Sequence, residues 1–174
     1  MNINFDDIGY LKLGTTMQQR AFQVLTTYRI MEKLAEFQPC LAGTIPLAID
    51  MEGSDLDIIC TWKNKQEFED SLTNCFGEMD GFIIRQIEVR GELSVVANFI
   101  IAPFGIEIFG QAVPVKDQLA YRHMIIEYKL LAEKGEAFRK EIIQLKKNGL
   151  KTEPAFANIL GLSGDPYLAL LAFE

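Results

Sequence analysis

The run Gly53-Ser54-Asp55-Leu56-Asp57-Ile58-Ile59-Cys60 places the tightest constraint on the fold. Alternate acids that give way to unbroken apolar residues describe a strand with a buried interior and an exposed mouth. Its period of two turns both aspartates to one face. Two ionised carboxylates roughly 5 Å apart, at an effective dielectric near 20, repel by about 3 kcal/mol. A folded chain offsets this by protonating one acid, supplying a base, or binding a cation. Lys63 is the nearest basic residue in sequence, so the pattern favours a divalent cation, with a Lys or Arg from elsewhere in the chain as the open alternative.

Around this strand the element types alternate. Gly14-Thr15-Thr16 followed by Gln18 has capping-box character, and the spacing predicts a helix to about Phe37 with Ala21, Leu25, Tyr28, Met31 and Ala35 inward. Pro39 closes that helix, Cys40 to Ile45 reads as a short strand ending at Gly43-Thr44, and Pro46 to Ser54 as a loop. Lys65 to Phe76 is a second helix capped by Gly77, with Phe68, Leu72 and Cys75 or Phe76 inward. Phe82 to Arg90 and Leu93 to Ala102 form a hairpin meeting at Gly91-Glu92, and Gly105 to Val113 is the last strand, with a third acid in Ile106-Glu107-Ile108. After Pro114 the pattern turns helical. Leu119, His123, Ile126 and Leu130 share one stripe, another helix runs from about Glu136 to Lys147, and Pro154 and Pro166 open short ones. The expected fold class is α+β (α/β): a mixed sheet core flanked by helices over residues 1–113, with a helical extension over 114–174 packed on it.

With 174 residues, 49% of them hydrophobic and 24% charged, the chain can bury a sizeable interior. A formal charge of −7 argues against broad nonspecific binding of nucleic acid, which is a poor first guess as partner. Lys146, Lys147 and Lys151 read as the solvated end of a helix, and Asp50 and Glu52 as solvated loop acids. Cys40, Cys60 and Cys75 fit neither a disulfide framework nor a zinc site. The start, Met1 to Asp7, lacks the features of a leader, and no apolar run reaches membrane-spanning length, so a cytoplasmic protein is expected.

A Gly-Thr turn, ten residues, Asp-Leu-Asp-Ile and a later acid between hydrophobics together resemble the polymerase-β-like nucleotidyltransferase superfamily. Thr44 departs from that pattern, keeping a hydroxyl but adding a methyl where a phosphate approaches. The strings Gly43-Thr44-Ile45-Pro46, Gly53 to Cys60, Ala120-Tyr121-Arg122-His123-Met124 and Lys151 to Ala157 further resemble an uncharacterised bacterial domain-of-unknown-function family within that superfamily.

The resemblance implies that Asp55 and Asp57 ligate magnesium or manganese carrying a nucleoside triphosphate. Glu107 then helps activate an acceptor hydroxyl, with a share in a second ion. Gly43, Thr44 and Ser54 are the candidate phosphate contacts, Ser54 being equally suited to capping a turn. Arg122 and Lys129 are candidates to reach the triphosphate if the tail packs over the cleft. His123 reads as a hydrogen-bonded, partly buried side chain. The expected activity is transfer of a nucleoside monophosphate to a hydroxyl of a small molecule or protein, an acidic cleft favouring a cationic or neutral acceptor. The alternatives are a non-catalytic nucleotide-binding regulator or antitoxin-like partner with the same fold, and a phosphohydrolase using the same metals. Oligomeric state is left open.

Overall fold

A computed structural model describes residues 3–174; Met1 and Asn2, part of the stretch read for a leader, lie outside them. The strands are β1 (Cys40–Ala42), β2 (Leu56–Thr61), β3 (Ile83–Val89), β4 (Glu92–Ile101) and β5 (Phe104–Gln111). They form one sheet in the order β1-β2-β5-β4-β3, in which only β2 and β5 run parallel. Alternation along the strands gives the sheet two different faces. Leu56, Ile58 and Cys60 of β2, with Ile106 and Ile108 of β5, join the cluster under helices α1 (Thr16–Thr27), α2 (Ile30–Lys33) and α3 (Lys65–Phe76). Ile59 and Phe109 face the other way, toward α4 (Leu119–Lys147), α5 (Thr152–Leu160) and α6 (Pro166–Leu170). No helix among the described residues is long and apolar enough to cross a membrane.

The first helix starts as its residues predict, with Thr15 and Gln18 closing a reciprocal capping box. It stops ten residues early. Thr26 Oγ1 turns back to the carbonyl of Phe22 at 2.8 Å, which weakens the helix end, and Arg29 then adopts a left-handed φ of 55°. This break rotates the face. Ile30, Leu34 and Phe37 enter the core, while the expected Tyr28 and Ala35 are exposed and Met31 is only partly buried. Gly77 does follow α3, but with right-handed dihedrals rather than the left-handed cap expected.

The β3–β4 hairpin turns one residue earlier than predicted, on Arg90-Gly91. Both have positive φ (53° and 85°), the combination a two-residue turn needs to match strand twist. Gly135, at φ 77° and ψ −164°, interrupts α4, so the stretch divides there as the sequence suggests. The loop between β1 and β2 is held from three sides. Gln18 donates to the carbonyls of Ile45 and Pro46 (2.9 and 3.1 Å), Arg139 to those of Leu47 and Ala48, and Lys146 to that of Ile49 at 2.7 Å.

Candidate active site

One row of paired residues crosses the whole sheet: Ala42, Asp57, Glu107, Asn98 and Ile83. Asp57 and Glu107 are therefore direct partners on neighbouring parallel strands and point to the same face. That face looks onto α4 and α5 across a cavity of about 550 Å³. A hollow of about 700 Å³ beside Phe5, Met31 and Val115 holds none of the predicted site residues.

Gly43 is required at its position for two separate reasons. Its φ of +75° suits glycine, and a Cβ there would sit 2.1 Å from Oδ2 of Asp57. Gly105 makes comparable room for Asp55, whose Oδ1 would lie 2.2 Å from a Cβ at that position. Burial pushes the Asp57 carboxyl up to about 7, with the charges of Glu107 and Asp55 adding to it and Lys146 acting in the opposite sense. A base from elsewhere in the chain does reach this end of the sheet. Besides that distant effect of Lys146, Glu107 accepts from Asn98 Nδ2 at 3.1 Å and lies 3.7 Å from Arg85 Nη2. Both members of the Arg85 pair are well exposed, so solvent screens the attraction.

Of the residues singled out in the sequence, Gly43, Thr44, Asp57, Glu107 and Arg122 line the cavity. Asp55 is exposed and outside the lining, and is coupled to Asp57 by charge. Ser54 accepts from the backbone N–H of Met51 at 2.8 Å and so caps the loop turn. Lys129 is exposed and lies outside the lining. Arg122 is held by Glu174 through two hydrogen bonds of 2.8 and 2.6 Å. His123 is buried, with Nε2 2.8 Å from the Tyr167 carbonyl. Lys146 is not the solvated helix end its sequence context suggests. It is held at the Ile49 carbonyl, and burial lowers its pKa. Asp50 is likewise half-buried, and burial raises its pKa.

The sequence reading passed over Glu127 and Glu153, which line the opposite wall of the same cavity. Glu127 is 4% exposed, and burial, with Glu153 adding to it, holds its carboxyl well above the ordinary range. A carboxylate one turn after His123 and inside an apolar helix stripe was the available signal.

The carboxylates of Asp55, Asp57 and Glu107 are hard oxygen donors of the kind that suit magnesium or manganese. Gly43 and Gly105 leave room for the carboxylates of Asp57 and Asp55 at the strand mouth. Among the described residues, however, no three His, Cys, Asp or Glu side chains are gathered closely enough to hold a metal.

A mixed sheet of this order, flanked by helices and carrying Asp57 opposite Glu107, defines a nucleotidyltransferase-like fold, and solved structures agree. The chain is similar to the GLD-2/RNP-8 complex (TM-score 0.56, 14% identity, 84% of this chain and 57% of that one). It is also similar to the polymerase core of TRAMP, an RNA surveillance complex (0.53, 12%, 92% and 57%), and to the Cid1 poly(U) polymerase with MgGTP bound (0.51, 12%, 76% and 42%). The chain thus spans little more than half of the first two and less than half of the third. Residues 23–173 match the model of DUF4269, a domain of unknown function, and the chain belongs to that family. A search among curated proteins finds no match. The low expectation for nucleic acid gains no support from these likenesses, since the TRAMP core belongs to an RNA surveillance complex and Cid1 is a poly(U) polymerase.

Proposed function

We propose that this protein is a metal-dependent nucleotidyltransferase that moves a nucleoside monophosphate from a nucleoside triphosphate to a hydroxyl of a small molecule or protein in the cytoplasm. The observation that carries the reading is the in-register pair Asp57 and Glu107 beside the Gly43 turn, in a fold shared with nucleotidyltransferases. Asp55, Asp57 and Glu107 would hold magnesium or manganese, and a bound divalent cation supplies neutralisation of the triphosphate charge. Gly43 lets the backbone come close to phosphate oxygens, with Thr44 as an adjoining donor. Glu107 stands where it can take the proton of the acceptor hydroxyl once it exchanges Arg85 for substrate. The acceptor oxygen then bonds to the α-phosphorus as the bond to the bridging oxygen breaks, and pyrophosphate leaves. Residues 1–113 carry the strand side of this site and residues 114–174 supply its cover.

The binding-only reading is favoured by one specific observation: Glu107 is already engaged by Asn98 and Arg85, with no set of three ligands gathered among the described residues. Incubating the protein with magnesium and each labelled triphosphate, with and without cell extract and RNA, separates the two. Label transfer or pyrophosphate release that disappears in Asp57→Asn supports the enzyme, and nucleotide binding without turnover under every acceptor condition supports the regulator.

A further inference from the structure

The helix wall of the cavity carries two carboxylates, Glu127 and Glu153. Glu127 Oε1 is buried and has no hydrogen-bond partner, yet the side chain lines the cavity. One turn earlier, His123 places Nε2 against the Tyr167 carbonyl. A carbonyl can only accept, so Nε2 carries a proton and Nδ1 is the ring atom turned to Glu153. The separation from Nδ1 to Oε1 of Glu153, a second carboxylate on the neighbouring helix, is 3.6 Å.

Nearby bases do not complete this group. Lys146 acts on Glu127 and Glu153 by its charge, but it donates to the Ile49 carbonyl, lies outside the lining and leaves Glu127 Oε1 without a hydrogen bond. The two arginines that do line the cavity are taken up elsewhere, Arg90 by Asp165 at 3.5 Å and Arg122 by Glu174 at 2.6 Å. Six carboxylates share the lining with them: Asp57, Glu92, Glu107, Asp117, Glu127 and Glu153.

We propose that Glu127 and Glu153, beside His123, form a subsite for the primary ammonium group of the acceptor, which makes the acceptor class an amino alcohol. The inference rests on the nucleotidyltransferase reading for the word acceptor, but the subsite itself stands on the helix wall. An ammonium group offers three N–H donors and one positive charge, the complement of two carboxylates on one wall, one of which keeps a buried oxygen without a hydrogen-bond partner. A bare metal ion is a poorer match, because no three ligating side chains close to coordination distance among the described residues. The cavity is continuous from this wall to Asp57 and Glu107. A molecule anchored by its nitrogen therefore turns its hydroxyl toward the strand acids.

The test uses the full chain without metal or nucleotide, titrated with ethanolamine and with ethylene glycol and followed by amide chemical shifts. Ethanolamine is expected to bind about tenfold or more tightly than the diol, and Glu127→Gln to erase ~10- to 100-fold of that preference, as expected for losing a charged hydrogen bond. Glu153→Gln, at a more exposed site, should remove a smaller part and gives an independent check should the first variant fold poorly. Equal affinity for both probes, or an undiminished preference in both variants, overturns the subsite. So does a Glu127→Gln protein that loses triphosphate binding while keeping its amine preference, because the wall would then hold the base. Adding magnesium and triphosphate separates the two readings. Amine preference without nucleotidyl transfer supports the subsite and counts against the catalytic reading, and transfer without amine preference overturns the subsite alone.

Discussion

On the strand wall of the cavity, Glu107 keeps contact with solvent and already engages Asn98 and Arg85. On the helix wall, Glu127 is sealed, with one oxygen left without a partner. Both are carboxylates of one cavity, but they are placed by different physics. The strand acids are aimed by backbone alternation at the mouth of a sheet, where water can relieve their charge. Glu127 is fixed by the packing of α4 on the sheet, and its isolation is a standing cost to the fold that an arriving donor would remove. The strand wall is suited to chemistry, and the helix wall to recognition.

The sharpest way to break this contrast is to neutralise one wall at a time. Asp57→Asn is expected to lower metal-dependent pyrophosphate release by about a thousandfold, equivalent to ~4 kcal/mol. Glu127→Gln should leave acceptor-free turnover within about threefold. Comparable losses in both would mean that the walls do not divide the work.

Gly43→Ala comes next. Its side chain would meet Asp57 and force a left-handed φ, so unfolding in urea should show a loss of about 1–3 kcal/mol, and triphosphate binding should weaken as well.

A smaller effect of opposite sign is expected for Glu127→Gln in stability. The native carboxyl holds its proton well above the ordinary value of 4.5, whereas the unfolded chain releases it near that value. Wild-type stability therefore falls as pH climbs from about 4.5 toward the raised native pKa, and glutamine escapes that loss. The variant should be more stable by about 1–2 kcal/mol at pH ~8, with the gain shrinking toward pH ~4 in paired urea titrations. Arg85→Ala closes the series. Its pair with Glu107 is exposed on both sides, so stability should move by less than about 0.5 kcal/mol, while magnesium affinity measured by calorimetry rises as Glu107 loses a competitor.

The features legible in the sequence were those fixed by local rules. Thr15 and Gln18 announced a helix start, and the alternation of Asp57 with Leu56 and Ile58, like that of Glu107 with Ile106 and Ile108, gave each acid its side of a strand. What escaped depended on distant packing or on unusual dihedrals. Arg29 and Arg90 adopt positive φ without the glycine or asparagine that would signal it, so a helix ran too long and a hairpin was set one residue late. Lys146 looked solvated because its partner, the Ile49 carbonyl, lies 97 residues away in sequence. Glu127 looked like one more polar residue on a helix, since nothing local says that its stripe faces a cavity.

The break at Gly135 has a reach beyond its own backbone. Nineteen residues of straight α-helix would hold Glu127 and Lys146 about 28 Å apart, too far for the mutual influence on their ionisation that they exert. The swivel at Gly135 folds the second half of α4 back, and so brings a lysine's field to bear on a carboxyl about two turns upstream of the bend. Its dihedrals lie where only glycine rests without strain. A methyl group there would press α4 toward a single rod, draw Arg139 and Lys146 off the loop carbonyls they clasp, and alter the electrostatics of a chamber the residue never touches.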